Sequence, residues 1–551
     1  MALGSCGSTT QEELPLCGVL ITIDTTNAQA LDMYGEDRGL TPSLARLAES
    51  SLIYDRAHTA VPITLPAHTS MMTGLYPLRH GVRDNGMMQL TPQAETLAER
   101  AREAGFQTAA FVSAAVLSAS YGLDQGFDVY QDRPRGDKRK RGGVAGSRSD
   151  QVTDSALAWL EGRDRQQPFF LWVHYFDPHF PYDPPQEFLE LARGKPYLGE
   201  VAAMDHDIGR LLDALESEVG LDKMLLAVLA DHGEAHNRHG EQSHTAYCYE
   251  STMHIPFLLR FPDGRRAGTR SAEMVSVVDI FPTFLVEMGL GSFEQLDGVS
   301  LAGAELPADR GVYVESYSGY LNFGWSPLAG WINSKGKYLH SSKPESYDLS
   351  QDPNELTNLF DSGDFDTSSH VSALEALSKL PRLAAASAVQ LDQEQLAELR
   401  ALGYAAAGDV GEKALPGPLE PSDLPAPADG ALIFQKYSNA VHLAGEHKNG
   451  QALALLREVL EASPKHIAAL GILGGVLLEE GQFEEAAEVL ERALALNSGK
   501  FTTLMNLGLA YESSGDLEQS LKQYRAAQVI RPGAKRIQKH IQRLEALSKE
   551  N

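Results

Sequence analysis

A period of 34 residues runs through the last fifth of the chain and constrains its fold more than any other feature. Gly474 and Gly508 are 34 residues apart, and so are Gly481 and Gly515. The other positions that keep this period are Ala452, Ala486 and Ser520; Leu456, Leu490 and Tyr524; Val459, Ala493 and Ala527; and Pro464, Ser498 and Pro532. Small and apolar residues at this spacing are typical of stacked pairs of helices. The segment is therefore expected to form an all-helical array in which each pair packs on the next.

The period resembles that of tetratricopeptide (TPR) repeats. It predicts about three repeats over Ala431–Pro532, followed by a charged capping helix that continues to the C-terminus. Such arrays usually bind a peptide or another protein on their concave surface, so a protein partner is expected. An array that serves only dimerisation or rigidity would have the same period.

The chain as a whole has the composition of a globular protein. With 551 residues, 43% apolar and 22% charged, it is long enough for two or three domains. Its net charge of −27, from 47 Lys and Arg against 74 Asp and Glu, argues against nucleic-acid binding. An anionic substrate would need a local cation. The three cysteines, Cys6, Cys17 and Cys248, are too few for a disulfide framework.

The first residues allow two interpretations. Leu3-Gly4-Ser5-Cys6 resembles the end of a bacterial lipoprotein signal, in which the cysteine is lipidated, but only MALGS precedes Cys6. With an upstream signal, the protein would be a periplasmic or cell-envelope lipoprotein that meets the membrane through Cys6. Without one, residues 1–15 are a disordered start and the protein is cytoplasmic. No apolar run in the sequence reaches transmembrane length.

Buried strands alternate with helices before the repeats. Apolar runs rich in β-branched residues predict strands at Leu16–Asp24, Phe106–Ser113, Pro168–His174 and Lys223–Asp231. Helical patterns lie between them, at Pro92–Ala104 and Ser149–Glu161. This alternation predicts an α/β domain with a mostly parallel sheet and helices on both faces.

Two segments interrupt the pattern. Arg133–Arg148 holds seven basic residues and several glycines, and predicts an exposed loop. Ala405–Gly430 contains five prolines and predicts a semi-rigid linker. We therefore expect a catalytic domain over 16–404, a linker over 405–430 and a TPR domain over 431–551.

Polar residues collect where the predicted strands end. Asp24 ends the first strand, and Asp231-His232 ends the last. In open α/β sheets, ligands bind beyond the carboxyl ends of the strands. Thr64 lies just before a predicted helix start, because Pro66 fits a first helical turn. Its hydroxyl could be a helix cap, or a nucleophile if a metal ion activates it.

Together, Asp24, Thr64, Asp231 and His232 would offer three oxygen ligands and one nitrogen ligand to a metal ion. A metal ion there would lower the pKa of the Thr64 hydroxyl and polarise a phosphoryl or sulfuryl oxygen. A loop over residues 174–182 follows another strand end, and its His179 could protonate a leaving group. The pattern indicates hydrolysis of an anionic ester.

The chain resembles the sulfatases of the alkaline phosphatase superfamily. The segments that carry the resemblance are TLPAHTSMMTG (64–74), GLDQGFDVY (122–130), HYFDPHFPY (174–182), ADHGE (230–234), VVDIFPT (277–283) and YDLSQDPNELTNL (347–359). The first is similar to the signature C/S-x-P-S-R-x-x-x-L/M-T-G. The resemblance implies an alkaline phosphatase-like sandwich, with a central mostly parallel sheet flanked by helices and a small C-terminal α+β subdomain. The all-α TPR array would follow.

The chain departs from the sulfatase pattern at three places. Thr64 stands where sulfatases carry the Cys or Ser that is modified to formylglycine, and Thr cannot give the same aldehyde hydrate. Thr is instead the nucleophile of related phosphodiesterases and transferases. His68 replaces the signature Arg. Asp231-His232 replaces an Asp-Asn pair, and a His ligand favours zinc or manganese over calcium.

The resemblance implies a role for each matching residue. Asp24, Asp231 and His232 would be ligands of one divalent metal, and Thr64 both ligand and nucleophile. His179 and His244 would contact the substrate or act as acid, and would replace a second cation. Asn85 resembles an anion-binding Asn, although Asn-Gly is also simply a turn.

Three functions remain open from the sequence. The first is a metal-dependent hydrolase or transferase that cleaves phosphate or phosphonate esters through Thr64. The second is a sulfatase that works without formylglycine. The third is a non-catalytic scaffold in which only the TPR array functions.

Overall fold

The computed structural model describes residues 17–86, 88–132, 148–303, 305–384, 415–496, 501–530 and 534–550. Several sequence predictions concern residues outside these ranges. They are the N-terminal segment with Cys6, the basic loop apart from Arg148, the end of the predicted catalytic domain and the first half of the linker.

A large mixed sheet forms the centre of the first domain. Its strands in the described part of the chain are β1 Cys17–Ile23, β2 Leu52–His58, β3 Gln107–Phe111, β4 Val129–Gln131, β5 Phe169–Tyr175, β6 Met224–Ala230, β7 His254–Ile255, β8 Phe257–Arg260 and β9 Thr269–Ser276. The order is β4-β3-β5-β1-β6-β8-β2-β7, and β9 also pairs with β2. The pairs among β4, β3, β5, β1 and β6 are parallel, as predicted, whereas β8 is antiparallel to its neighbours.

Helices cover both faces of this sheet. They are α1 Pro42–Ala48, α2 Thr64–Thr73, α3 Pro77–His80, α4 Leu97–Glu103, α5 Ser149–Gly162, α6 Gln186–Leu191, α7 Pro196–Glu218, α8 Glu250–Met253 and α9 Ile280–Glu287. Successive side chains of a strand point to opposite faces. Phe169 of β5 packs on Trp159 of α5, while Phe170 packs on Phe284 of α9. Helices α5 and α9 therefore lie on opposite faces, and every residue of the central strand β1 is buried.

A smaller subdomain follows the sheet. It contains an antiparallel sheet of β10 Val312–Ser316, β11 Leu328–Asn333, β12 Gly336–His340 and β13 Glu345–Tyr347, with helix α10 at Ser368–Ser378. A π-helical turn, Gly319–Phe323, lies between β10 and β11. The α+β subdomain that the resemblance implied is confirmed.

One predicted helix begins later than the periodicity suggested. The pattern predicted a start at Pro92, but α4 begins at Leu97. The Thr96 hydroxyl accepts the Glu99 N–H at 3.2 Å, and the Glu99 carboxylate accepts the Thr96 N–H at 2.9 Å. This capping box sets the first turn, so the prediction was wrong by about one turn.

Paired helices form the C-terminal array. They are α11 Ala431–Gly445, α12 Asn449–Ala462, α13 Ile467–Glu479, α14 Phe483–Leu496, α15 Phe501–Ser514, α16 Leu517–Ile530 and a final helix, α17 Lys535–Glu550. Gly474 and Gly508 lie where consecutive helices approach most closely, because a Cβ at either would meet Leu490 or Tyr524 within 3 Å. The period thus corresponds to three helix pairs and a last helix in the described residues. No described helix combines the length and apolar character that a membrane crossing requires.

Candidate active site

The polar strand ends meet at one edge of the large sheet. Strand β1 is paired in parallel with β5 on one side and with β6 on the other. Asp24 directly follows β1, and Asp231 directly follows β6, so the two aspartates lie side by side. Both are fully buried.

Asp24, Asp231 and His232 converge on one point. One ligand atom from each lies within 4.8 Å of the other two, and all three side chains are buried. Nε2 of His232 is 3.7 Å from Oδ1 of Asp24 and 3.5 Å from Oδ2 of Asp231. The Nδ1 atom of His232 lies 3.1 Å from the Gly233 carbonyl, which can only accept. Nδ1 therefore carries the hydrogen, and the Nε2 lone pair faces the two carboxylates.

Thr64 completes this group from the opposite side. It is the first residue of α2, so the helix begins one residue earlier than the sequence indicated, and the residue at the cap position is Ile63. The Thr64 hydroxyl makes no capping bond and instead lies 3.3 Å from Nε2 of His232. The four predicted metal ligands are thus brought together, with Thr64 only 1% exposed.

The electrostatics of the group favour a bound cation. Burial raises the pKa of Asp24 well above its usual value, and the nearby Asp231 and Glu234 raise it further. Burial also raises the pKa of Asp231 to about 6. Both oxygens of Asp24 and Oδ2 of Asp231 have no hydrogen-bond partner in the described structure. Buried carboxylate oxygens without partners are costly, and a divalent cation would satisfy them.

These residues fit a divalent metal. Two carboxylates, a hydroxyl and an imidazole lone pair aim at one volume, and the second imidazole nitrogen is held by a carbonyl, as is usual for metal-bound histidine.

His68 lies beneath the first turn of α2, which carries Thr64. Its Nδ1 donates to the Thr64 carbonyl at 2.8 Å, which leaves Nε2 to accept from the Thr22 hydroxyl at 2.9 Å. Burial lowers the pKa of His68, so the neutral ring is favoured. Because both ring nitrogens are engaged, His68 is placed to hold the first turn of α2 in position.

Asn85 lies against the same turn. Its side-chain oxygen accepts the Leu65 N–H at 2.9 Å, while its Nδ2 is buried with no partner among the described residues. The amide therefore presents donors beside Thr64.

His179 and His244 form the other wall of the site. The His244 ring lies 4.4 Å from the His232 ring and 5.3 Å from the His179 ring, measured between centroids. Burial lowers the pKa of each to about 3. Nδ1 of His179 donates to the Phe180 carbonyl at 2.6 Å, so Nε2 is the nitrogen that can exchange a proton with a substrate.

The sequence reasoning missed two neighbours of the site. His174 places Nε2 3.6 Å from Oδ2 of Asp24, and neither of its ring nitrogens has a hydrogen-bond partner among the described residues. Glu234 is fully buried, with Oε1 3.5 Å from Nδ1 of His244 and Oε2 accepting from the Tyr182 hydroxyl at 3.3 Å. Both lie in segments that carried the resemblance to sulfatases. Each is a titratable residue at or just after the end of a predicted strand, and this feature could have identified them.

Comparison with protein-family models identifies both parts of the chain. The sulfatase model matches residues 18–290. Two tetratricopeptide repeat models match residues 443–499 and 477–535. The matches agree with the two resemblances found in the sequence.

Individual proteins are similar to about two thirds of the chain. The N-acetylglucosamine-6-O-sulfatase of Bacteroides thetaiotaomicron is 22% identical over 483 residues, covering 66% of this chain and 86% of that protein. The arylsulfatase of Clostridium perfringens is 22% identical over 438 residues, covering 63% and 90%. Among solved structures, the phosphonate monoester hydrolase of Agrobacterium radiobacter has a TM-score of 0.55 at 21% identity, covering 66% of this chain and 94% of that one.

Fold, site and family matches agree. Members of the sulfatase family hydrolyse esters, and the described fold is theirs. The chain therefore carries an ester hydrolase domain of the sulfatase family, followed by an array of tetratricopeptide repeats.

Proposed function

We propose that this protein is a metal-dependent hydrolase or transferase that cleaves phosphate or phosphonate esters through Thr64. The contact between the Thr64 hydroxyl and His232 Nε2, beside two buried aspartates, carries the proposal. The contact supports a nucleophilic role, because a nucleophile of this family is expected beside the metal ligands. Thr64 also cannot form formylglycine, which favours phosphorus over sulfur chemistry.

The metal would be held by Asp24, Thr64, Asp231 and His232. When bound, it would lower the pKa of the Thr64 hydroxyl and neutralise charge on the non-bridging oxygens. The imidazole ligand favours zinc or manganese over calcium, which prefers oxygen ligands only.

The reaction that we propose has two displacements at phosphorus. In the first, the Thr64 hydroxyl gives up its proton to solvent and a bond forms from Oγ1 to phosphorus. The bond from phosphorus to the leaving oxygen breaks. The departing alcohol takes a proton from His179 or His244. Each imidazole is neutral in its buried setting, and the negative charge of a bound substrate would favour its protonated form. In the second, water or an acceptor alcohol gives its proton to the imidazole that lost one. Its oxygen bonds to phosphorus as the bond from phosphorus to Thr64 Oγ1 breaks.

Two further residues would support these steps. The unpartnered Asn85 amide nitrogen would donate to a substrate oxygen, and its side-chain oxygen keeps the Leu65 N–H in place. His68 would hold the Thr64 carbonyl and so the direction of the Thr64 side chain. The TPR array would bind a protein or peptide partner.

A substrate panel tests the proposal. Protein loaded with zinc or manganese is assayed on an aryl phosphate monoester, a phosphate diester, a phosphonate monoester and an aryl sulfate. We expect turnover of a phosphorus ester, a loss of at least about 10³-fold in Thr64→Ala, and partial activity in the matched variant Thr64→Ser. Mass spectrometry of quenched reactions should find a phosphoryl group on the peptide that contains Thr64.

The panel also separates the other two functions. The names of the curated relatives favour sulfate esters. A preference of the wild-type protein for the aryl sulfate would replace our proposal with a sulfatase that works without formylglycine. Folded protein that binds no divalent metal and turns over no substrate would indicate a scaffold. Undiminished activity of Thr64→Ala would exclude Thr64 as the nucleophile.

A further inference from the structure

The first helix of the TPR array packs on the hydrolase domain through a cluster of aromatic rings. Phe434 and Tyr437 of α11 lie 5.2 and 5.5 Å from the Phe323 ring, measured between centroids. Phe434 also lies 6.2 Å from both Trp325 and Tyr247. All five side chains are at most 6% exposed. Burial of this much aromatic surface stabilises the contact and restricts motion between the helix and the hydrolase domain.

The chain that leads into α11 follows the hydrolase surface. Although the sequence predicted a semi-rigid linker, its described part is hydrogen-bonded to the hydrolase domain. The Pro416 carbonyl accepts from the Tyr317 hydroxyl at 2.7 Å, and the Pro425 carbonyl accepts the Ser326 N–H at 2.9 Å. A Cβ at Gly430 would lie 2.1 Å from the Trp325 ring, so the backbone touches that ring.

Helix α11 meets the two loops that carry the histidines of the site. The ring of His442 lies 5.6 Å from that of Phe180, the residue after His179. At the start of the helix, Ala431 lies against Gly240, and Phe434 contacts Tyr247, three residues after His244. No other helix of the array that the structure describes has a ring contact with these two loops.

The second of these loops needs support. Four of its non-glycine residues have positive φ angles: His236 (49°), Asn237 (66°), His239 (52°) and Thr245 (119°). Such conformations are disfavoured and persist only where surrounding contacts hold them. A displacement of about 1 Å in an active-site group can cost about 10²-fold in rate.

We propose that α11 is a positioning element of the hydrolase site, which holds the His179 loop and the His244 loop in their working geometry. The repeat array is then a structural part of the enzyme at its first helix, and its later helices remain for a partner. This inference rests on the proposed function for its effect on turnover, but its effect on the two loops can be measured without activity.

Hydrogen exchange and kinetics of the full chain test it. The variants are Phe434→Ala, which removes the central ring, and His442→Ala, which removes the contact to Phe180. Asn439→Ala, an exposed change on the same helix, is the control. We expect at least tenfold faster amide exchange in residues 174–182 and 234–249 for Phe434→Ala, and in residues 174–182 alone for His442→Ala. The value of kcat should fall about tenfold in both, with a smaller change in KM, while His442→Phe restores it.

The readouts keep the outcomes distinct. If α11 itself exchanges faster in Phe434→Ala while both loops and kcat stay at wild-type values, α11 does not position the site. Should Phe434→Ala fail to fold, Phe434→Leu gives the same comparison with a smaller loss of contact. If the wild-type protein turns over no substrate, the proposed function fails, and loop exchange alone decides the role of α11.

Discussion

Arg83 shows how one buried charge shapes the loop that carries Asn85. Its guanidinium pairs in a fork with the Glu315 carboxylate, with Nε 2.8 Å from Oε1. The Tyr317 ring lies 3.6 Å beneath the guanidinium carbon, and the Tyr313 hydroxyl donates to Glu315 at 2.7 Å. Both charges are almost fully buried. The pair ties the segment before Asn85 to strand β10.

Removal of either partner should therefore be severe. We expect Arg83→Met to lower the free energy of unfolding by about 3–5 kcal/mol, because Glu315 would remain buried without a counter-charge. Tryptophan fluorescence in urea measures this for the first domain, which contains all four Trp residues. The exposed pair Arg46–Asp213 is the matched control, and Arg46→Met should cost at most about 1 kcal/mol. Equal losses in the two variants would contradict the prediction.

The buried His80 should make the stability of the folded protein fall in acid. Burial lowers its pKa from 6.5 to about 3, and its Nδ1 accepts the Val82 N–H at 3.1 Å. Below pH 6.5 the unfolded chain binds a proton that the folded protein does not, so stability falls as the pH falls, until about pH 3. From pH 6.5 to 5.0 we expect His80 to contribute a loss of about 2 kcal/mol.

Comparison with His80→Gln isolates this contribution, because the other buried histidines are common to both proteins. Urea unfolding at pH 6.5 and 5.0 should show a smaller acid loss in the variant. Identical losses in the two proteins would mean that His80 takes up its proton in the folded state as well.

At the scale of elements, two adjacent glycines of α13 differ in how closely the next helix approaches them. In α13, a Cβ at Gly474 would lie 2.5 Å from Leu490 of α14, whereas a Cβ at Gly475 would meet nothing within 4 Å. The repeat period marks the first position and not the second. Small residues recur where helices touch, and the period detects these contacts.

The two glycines give a matched pair of variants. Gly475→Ala should raise the free energy of unfolding of the array by about 0.5–1 kcal/mol, because alanine favours the helix. Gly474→Ala should lower it by about 1–3 kcal/mol, because the methyl group forces α13 and α14 apart. Circular dichroism in urea measures both, and a gain at Gly474 would show that the helices can separate without cost.

The strands and helices of the first domain were predicted well where burial is continuous. Residues 17–23 and 224–230 are fully buried. Strands that are buried on both faces appear in the sequence as continuous apolar runs, which are easy to recognise. The start of α4 was missed because the capping box of Thr96 and Glu99 sets it, and periodicity does not detect a side-chain cap.

For the molecule as a whole, a metal ion bound at the candidate site should contribute to stability. Asp24 and Asp231 are buried side by side, and a bound cation would remove their repulsion. We expect a chelator to lower the melting temperature of the first domain, since a ligand at a thousand times its Kd adds about 4 kcal/mol. In Asp231→Asn the chelator should have a much smaller effect. A wild-type melting temperature that does not respond to the chelator would argue against a bound metal.

The sequence by itself determined the fold class and the repeat array, and it predicted that Asp24, Thr64, Asp231 and His232 would meet. These follow from local patterns: strand ends that share one sheet edge, a motif in register and a fixed period. Only the tertiary structure decided which ring nitrogen of His232 faces the cluster and that His174 and Glu234 lie beside it. It alone also decided that α11 lies against the His179 and His244 loops. Such contacts link residues far apart in the chain, and they depend on side-chain direction and packing, for which no local pattern exists.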